Sequence, residues 1–277
     1  MSKHPTLIPA ALLLAFAAGG TARAQDVTIY NSIPNPLPQS LPSLGYQATS
    51  ASEFGDYVRF APGTSRELTN VTMTMVTWAY QSMPESTGFG NALGYTVPMT
   101  LKLYNPGGAG NTPSVGSVIA TRAITAFIPW RPEPSGGACG GTTYDAGGTC
   151  YNGMATNVTF DFSGVIAPDE VIYGLAFNTE THGYSPTGIP GPYNSLNFGL
   201  NDITGPSVGT DMDSDSVYWN TSHQPFLTTG VAGTFGPDTV WAPYVPAAQF
   251  DAIPEPASLA LLGFGLAGLA AARRRRR

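Results

Sequence analysis

The sequence predicts an all-β protein built as a single antiparallel β-sandwich or jelly-roll-like domain. Only 11% of its residues are charged, which is too few for the Glu- and Lys-rich surfaces of long helices, and its 33 glycines and 25 prolines supply frequent turns. Short segments alternate apolar and polar residues with the period of a β-strand. Because 42% of the residues are hydrophobic and 11% aromatic, we expect a packed core rather than disorder.

The first 108 residues contain four candidate strands. Residues 27–30 are a candidate first strand ahead of a Pro-rich extended segment, and residues 53–60 are predicted to form an edge strand. The strongest alternation covers residues 68–80, where three apolar side chains face one way at a period of two. Residues 98–104 repeat this pattern, and the Asn-Pro-Gly-Gly sequence at 105–108 predicts a turn.

The rest of the chain predicts five further strands, at residues 115–128, 157–162, 171–178, 196–200 and 239–250. Residues 171–178 are apolar on both faces and are therefore predicted to form a central, buried strand. Residues 202–220 are acidic and are predicted to be irregular. The absence of amphipathic helices between the candidate strands favours antiparallel sheets packed face to face.

The only two cysteines, Cys139 and Cys150, lie in one Gly-rich loop. In an exported protein such a pair is expected to form a disulfide. Two thiols with no histidine between them do not make a zinc site. The bond is predicted to close a loop and not to build the fold.

The first 24 residues have the organisation of a secretory signal peptide. Lys3 gives a short positive region, an apolar stretch of twelve residues follows at 7–18, and Ala22-Arg23-Ala24 has the small-x-small pattern of a cleavage site. We expect cleavage after Ala24, so that the mature chain starts at Gln25.

The last 24 residues form a three-part tail. Pro254-Glu255-Pro256 is followed by an uncharged, mainly apolar run at 257–272 and by five arginines at 273–277. The apolar run is just under the ~17 residues that span hydrocarbon, but arginine stems extend its reach. By the positive-inside rule the arginines hold their end in the cytoplasm, so the rest of the chain lies across the membrane.

This tail closely resembles the PEP-CTERM sorting signal of Gram-negative bacterial surface proteins. The resemblance implies that a membrane-embedded exosortase recognises Pro254, Glu255 and Pro256 and removes the tail. It covers only the C-terminal segment, and an ordinary membrane anchor is the alternative reading. The expected organisation is a signal peptide at 1–24, a β-sandwich domain at 25–253 and a sorting signal at 254–277.

The folded body is strongly acidic. Seven of the twelve basic residues lie in the two end segments and only one of the 18 acidic residues does, so the body combines five basic with seventeen acidic residues. Nucleic-acid binding depends on basic patches that neutralise phosphate, so the body is not expected to bind DNA or RNA.

No catalytic motif is apparent in the body. It has two histidines, His182 and His223, and lacks a nucleophile elbow, a metalloprotease helix and a phosphate-binding Gly loop. A glycoside hydrolase needs only two carboxylates, and these are available among Asp161, Asp169, Glu170 and Glu180. Each has a simpler role on a strand face or in a turn, so we expect no enzyme.

Two features are compatible with ligand binding. Asp211, Asp213 and Asp215 alternate along one loop and offer hard oxygens to calcium, although the spacing does not match an EF-hand. The four tryptophans and thirteen tyrosines could stack on sugars, although buried aromatics are the commoner case. No cofactor other than this calcium is predicted.

The first functional hypothesis is therefore an exported, non-enzymatic protein of the cell surface or extracellular matrix. The resemblance implies exosortase as processing partner, transient anchoring in the inner membrane through the C-terminal helix, and a matrix that contains extracellular polysaccharide. The second hypothesis is a carbohydrate-binding module assisted by calcium. The third is a secreted glycoside hydrolase.

Overall fold

A computed structural model describes residues 25–63, 65–108, 110, 112–201, 205–214, 216–221, 232–238 and 243–254 of the chain. The predicted signal peptide at 1–24 lies outside the described residues. So does the tail beyond Pro254, together with Asp215, His223 and Trp241.

The described chain consists mainly of β-strands and contains one short α-helix. The strands are β1 (Val27–Asn31), β2 (Ser43–Gly45), β3 (Ala51–Arg59), β4 (Leu68–Thr77), β5 (Gly94–Gly107), β6 (Ser114–Pro129), β7 (Tyr144–Ala146), β8 (Thr149–Tyr151), β9 (Met154–Asp161), β10 (Glu170–Phe177), β11 (Leu196–Asn201), β12 (Thr210–Asp211), β13 (Val217–Thr221), β14 (Gly236–Asp238), β15 (Val245–Pro246) and β16 (Ala248–Ala252). Helix α1 covers Tyr46–Thr49, and 3-10 turns lie at Pro84–Ser86, Gly137–Cys139 and Pro192–Ser195.

These strands form two large antiparallel sheets and one small one. The first sheet has the order β1-β16-β4-β11-β15, with β2 on β11 and β9 on β4. The second has the order β14-β13-β3-β10-β5-β6, with β12 on β3, and the third is the hairpin β7-β8. The prediction of an all-β protein with antiparallel sheets is confirmed.

The two large sheets enclose a common core, because the alternating apolar faces of their strands pack against each other. Val71, Met73 and Met75 of β4 are fully buried, as the alternation predicts. Aromatic rings join the sheets: Tyr173 of β10 lies 5.5 Å from Phe250 of β16 between ring centroids.

The position of β10 also agrees with its sequence. It lies between β3 and β5, and all its residues after Glu170 are buried. A strand flanked on both sides and covered on both faces must be apolar on both faces. The central strand predicted at 171–178 is therefore confirmed.

Three local predictions differ from the structure. β3 is an interior strand rather than an edge strand, because β13 and β12 pair with the side opposite β10. β12 and residues 217–220 of β13 form strands inside the segment 202–220 that was predicted to be irregular. The turn predicted at 105–108 is partly a strand, because β5 continues to Gly107 through register shifts against β6.

Cys139 and Cys150 lie at disulfide distance, with their sulfur atoms 2.06 Å apart. Cys150 belongs to the small β7-β8 hairpin, which stands outside the two large sheets. This placement agrees with the prediction of a loop closure that does not build the core.

The two ends of the described chain emerge at one edge of the first sheet. β1 and β16 pair antiparallel, with Val27 opposite Ala252. β16 also pairs with β4 and is therefore an interior strand. The start of the predicted mature chain and the start of the tail are neighbours in space.

Candidate functional site

A buried carboxylate cluster lies where the loop between β12 and β13 runs alongside β3. β12 pairs with Val58 and Arg59, whereas β13 pairs with residues from Ala51 to Gly55. Asp56 and Tyr57 therefore have no strand partner on this side, and the loop fills the gap, with the Met212 amide donating to the Tyr57 carbonyl at 3.0 Å.

Three aspartates meet in this gap. Asp56, Asp211 and Asp213 each present a carboxylate oxygen, and these oxygens lie within 4.8 Å of one another. Asp56 is 0% exposed and Asp213 is 2% exposed. The sequence predicts Asp211, Asp213 and Asp215 as calcium ligands; the structure brings the first two together, and Asp215 lies outside the described residues.

Asp56, the third member of the cluster, was not predicted from the sequence, because it lies far along the chain from the aspartates at 211–215. Asp56 lies two positions from Phe54 and two from Val58 on β3, so the three side chains share one face. Because Phe54 and Val58 belong to the hydrophobic core, the carboxylate of Asp56 lies on the inward face of β3. An acidic residue in an inward position of a strand is the signal that could have identified it. Burial raises the pKa of Asp56 well above its usual value, and the charges of Asp211 and Asp213 raise it further.

The loop is held in shape by its own hydrogen bonds. The Asp213 amide donates to Asp211 Oδ1 at 3.1 Å, and Ser216 Oγ donates to Asp213 Oδ2 at 2.7 Å. A surface cleft of about 450 Å³ borders Asp211 and Ser214. The cluster is therefore reachable from solvent on the Asp211 side, while Asp56 closes it on the core side.

A second buried carboxylate belongs to Glu53, which lies three residues before Asp56 and therefore on the opposite face of β3. Tyr104 donates to Glu53 Oε1 at 2.7 Å, and Tyr184 donates to Oε2. Gly174 makes room for this side chain, because a Cβ there would lie 2.2 Å from Glu53 Oε1. Burial raises the pKa of Glu53 to about 7, against the smaller lowering effects of Tyr104 and Lys102.

This pKa predicts a pH dependence of stability. The carboxyl ionises near pH 4.5 when unfolded and near pH 7 when folded, so the folded protein binds the extra proton between these values. The free energy of unfolding should therefore fall by about 3 kcal/mol as the pH rises from 4.5 to 7 and then level off. Chemical unfolding of wild type and Glu53→Gln across this range measures the effect.

In that experiment Glu53→Gln should lose the part of the slope that Glu53 contributes. Asp56, whose pKa burial also raises, adds a slope of the same sign in both proteins. The exposed Glu85→Gln substitution serves as the control and should keep the full slope. An unchanged slope in Glu53→Gln would show that other groups cause the pH dependence.

The remaining candidate carboxylates have structural partners. Asp169 Oδ1 pairs with Arg66 at 2.8 Å, and Glu170 Oε1 pairs with Arg59 at 2.5 Å. Asn194 donates to Glu180 Oε2 at 3.1 Å, and Asp161 accepts the Ser163 amide at 2.8 Å. His182 lies in the loop after β10 and its Nδ1 contacts Thr181 Oγ1 at 2.8 Å.

The three described tryptophans lie in different environments. Trp78 is 44% exposed, and Trp219 is buried beside Phe54. Trp130 packs on Tyr95, with ring centroids 4.7 Å apart, and its indole donates to the Asn91 carbonyl. Trp219 is therefore a core residue, whereas Trp78 keeps a large exposed surface.

The C-terminal tail begins directly at the end of the folded body. Ala252 is fully buried, and the next amide, of Ile253, donates to the Glu67 carbonyl at 2.9 Å. Pro254 is the last described residue. In the part of the chain that the structure describes, no helix is long and apolar enough to cross a membrane.

A second Pro-Glu-Pro tripeptide, Pro132-Glu133-Pro134, lies within the folded body. Glu133 accepts hydrogen bonds from the Ser82 amide and hydroxyl at 3.0 and 2.6 Å. Serine and glycines follow it instead of an apolar run and arginines. The tripeptide therefore differs from the C-terminal one in context and not in sequence.

Comparison with known proteins assigns the C-terminal segment. Residues 252–277 match the PEP-CTERM protein-sorting motif, whereas the internal tripeptide lies outside the match. No curated protein and no solved structure matches the chain. The chain carries a PEP-CTERM sorting signal, which is recognised by exosortase and marks an exported protein.

Proposed function

We propose that this protein is a non-enzymatic β-sandwich protein displayed on the cell surface or in the extracellular matrix after exosortase has removed its tail. The observation that carries the proposal is the sorting motif at 252–277. The body at 25–253 is the part that remains outside the cell. There it would lie in a matrix that contains polysaccharide.

The geometry of the two ends supports processing at the membrane. β16 ends at Ala252, two residues before the Pro-Glu-Pro sequence, so no spacer separates the core from the motif. Because Val27 pairs with Ala252, the proposed signal peptide and the tail leave the body at the same edge. This edge of the folded body would face the membrane while exosortase acts.

The contacts of the carboxylates support a non-enzymatic role. Asp161, Asp169, Glu170 and Glu180 are engaged in turns, ion pairs and hydrogen bonds. The apolar cleft between Phe89, Tyr95 and Tyr193 contains no Asp or Glu among the described residues that line it. A glycoside hydrolase needs two carboxylates beside its sugar-binding cleft, so this arrangement favours the surface role.

Surface labelling of intact cells tests the proposal. The exported protein should be accessible to a membrane-impermeant reagent, or be found in the matrix, in cells that contain exosortase. In otherwise identical cells without exosortase it should remain in the inner membrane. Equal surface exposure in both strains would refute a role for exosortase in its display.

Enzymatic function is tested separately with the purified exported protein. Incubation with polysaccharide from the matrix of the producing cells should leave its chain length unchanged. Release of oligosaccharides, which Glu170→Gln abolishes, would instead establish the hydrolase hypothesis.

A further inference from the structure

Asp56 is a buried acid without a basic partner. Its side chain is 0% exposed, and Oδ2 has no hydrogen-bond partner among the described residues. Oδ1 accepts the adjacent Tyr57 amide at 2.8 Å, and the carboxyl group also interacts with the side chain of Asp213, another acid. The charged groups that act on Asp56 are the two further carboxylates of Asp211 and Asp213. A buried carboxylate in such surroundings needs a compensating positive charge or a proton.

The basic side chains of the body are engaged elsewhere. Arg59 pairs with Glu170, Arg66 pairs with Asp169, and Arg122 donates to the Asp161 carbonyl. Lys102 lies over the ring of Tyr184. Arg131 donates to the backbone carbonyls of Trp78, Pro132 and Thr142. The five basic residues of the body thus have roles away from Asp56.

A second observation points to a ligand at the same place. Tyr173 of β10 lies directly opposite Asp56 in the strand register and is 0% exposed. Its hydroxyl has no hydrogen-bond partner among the described residues and lies within electrostatic range of Asp56, Asp211 and Asp213. Buried hydroxyls are nearly always hydrogen-bonded, so an unpartnered one on the residue opposite Asp56, within the field of three carboxylates, indicates a bound ion or water.

We propose that Asp56, Asp211 and Asp213 bind a hard divalent cation, with calcium as the ion that fits best. Carboxylate oxygens from a strand and an irregular loop suit calcium, which tolerates varied geometry, better than magnesium, which demands a regular octahedron. The cleft beside Asp211 and Ser214 provides the route of entry and room for water ligands. Tyr173 completes the polar surroundings on the core side.

The cation has a structural role. It ties the loop between β12 and β13 to β3, at the position where the strand pairing is interrupted. Because Asp56 and Asp213 are buried, two of the three ligands lie beneath the surface, and Asp211 borders the cleft. The link between loop and strand does not depend on the proposed surface role or on the sorting signal.

Terbium luminescence and thermal unfolding test the site in the exported protein after removal of metals with a chelator. Tyrosines transfer excitation energy to bound terbium, so Tyr173 should sensitise the terbium emission. Added calcium should displace terbium and reduce this emission. Calcium at about ten times its Kd should raise the melting temperature by about 3 °C. Asp56→Asn should abolish both effects.

Asp211→Asn provides a second variant, because Asp211 is only partly buried and its substitution disturbs the core less than that of Asp56. It should weaken calcium binding at least tenfold. Asp26→Asn makes the same chemical change at an exposed position and should bind as the wild type does.

Two results would overturn the proposal. Undiminished binding in both Asp56→Asn and Asp211→Asn would show that the ion lies elsewhere on the acidic surface. A wild-type protein that calcium neither binds nor stabilises, together with a raised melting temperature in Asp56→Asn, would show that the aspartates share protons instead.

Discussion

Replacing Glu255 with alanine is expected to keep the exported protein in the inner membrane with its tail attached. The wild-type chain should lose the tail and reach the cell surface or the medium. Glu255 is the charged residue of the motif that exosortase recognises, while the apolar run and the five arginines hold an uncleaved tail in the membrane. We expect nearly all of the variant to change its location. Intact mass and cell fractionation measure both effects.

The chain supplies its own matched control in the internal tripeptide. Glu133→Ala makes the same change in the same tripeptide, but outside the matched segment. This variant should be processed as the wild type is, because Glu133 lies in the folded body and is held by Ser82. If wild type, Glu255→Ala and Glu133→Ala all keep the tail, the segment is an ordinary membrane anchor.

Replacing Phe250 with alanine is expected to destabilise the body by about 3–5 kcal/mol, which is the usual cost of removing a buried Phe side chain. Phe250 is fully buried on β16, and its ring contacts those of Tyr30, Phe60 and Tyr173 at 6.0, 5.2 and 5.5 Å between centroids. Such a loss is a large share of the stability of an ordinary domain. Unfolding of the exported protein in urea gives the value.

Gln249→Ala is the control for Phe250→Ala. Gln249 is the preceding residue on the same strand, only partly buried, and its side chain contacts Asp251 of that strand. It should cost less than about 1 kcal/mol. Similar losses in both variants would show that β16 does not contribute to the core as the structure indicates.

The connection between these two predictions is the position of β16. The strand that pairs with both β1 and β4 ends two residues before the C-terminal Pro-Glu-Pro tripeptide. The core therefore cannot be completed until the chain has been exported up to the tail. Loss of Phe250 should also increase degradation of the exported precursor, because unfolded chain exposes backbone to proteases.

The tail and the strands could be read from the sequence because their signals are local. The tail depends on the order of a short motif, an apolar run and arginines, and the match at 252–277 agrees with it. Strands such as β4 and β9 alternate apolar and polar residues every second position, which is a property of neighbours along the chain. The buried β10 was recognised because both its faces are apolar.

The carboxylate cluster, in contrast, could be identified only from the tertiary structure. Asp56 and Asp213 are 157 residues apart in the chain, and they meet only because β12 and β13 pair with opposite ends of β3 and leave a gap between them. Strand order and register are set by long-range packing, which no local pattern encodes. The same reason explains why β3 was predicted at an edge, and why the sequence indicated two ligands of the proposed cation site but not the third.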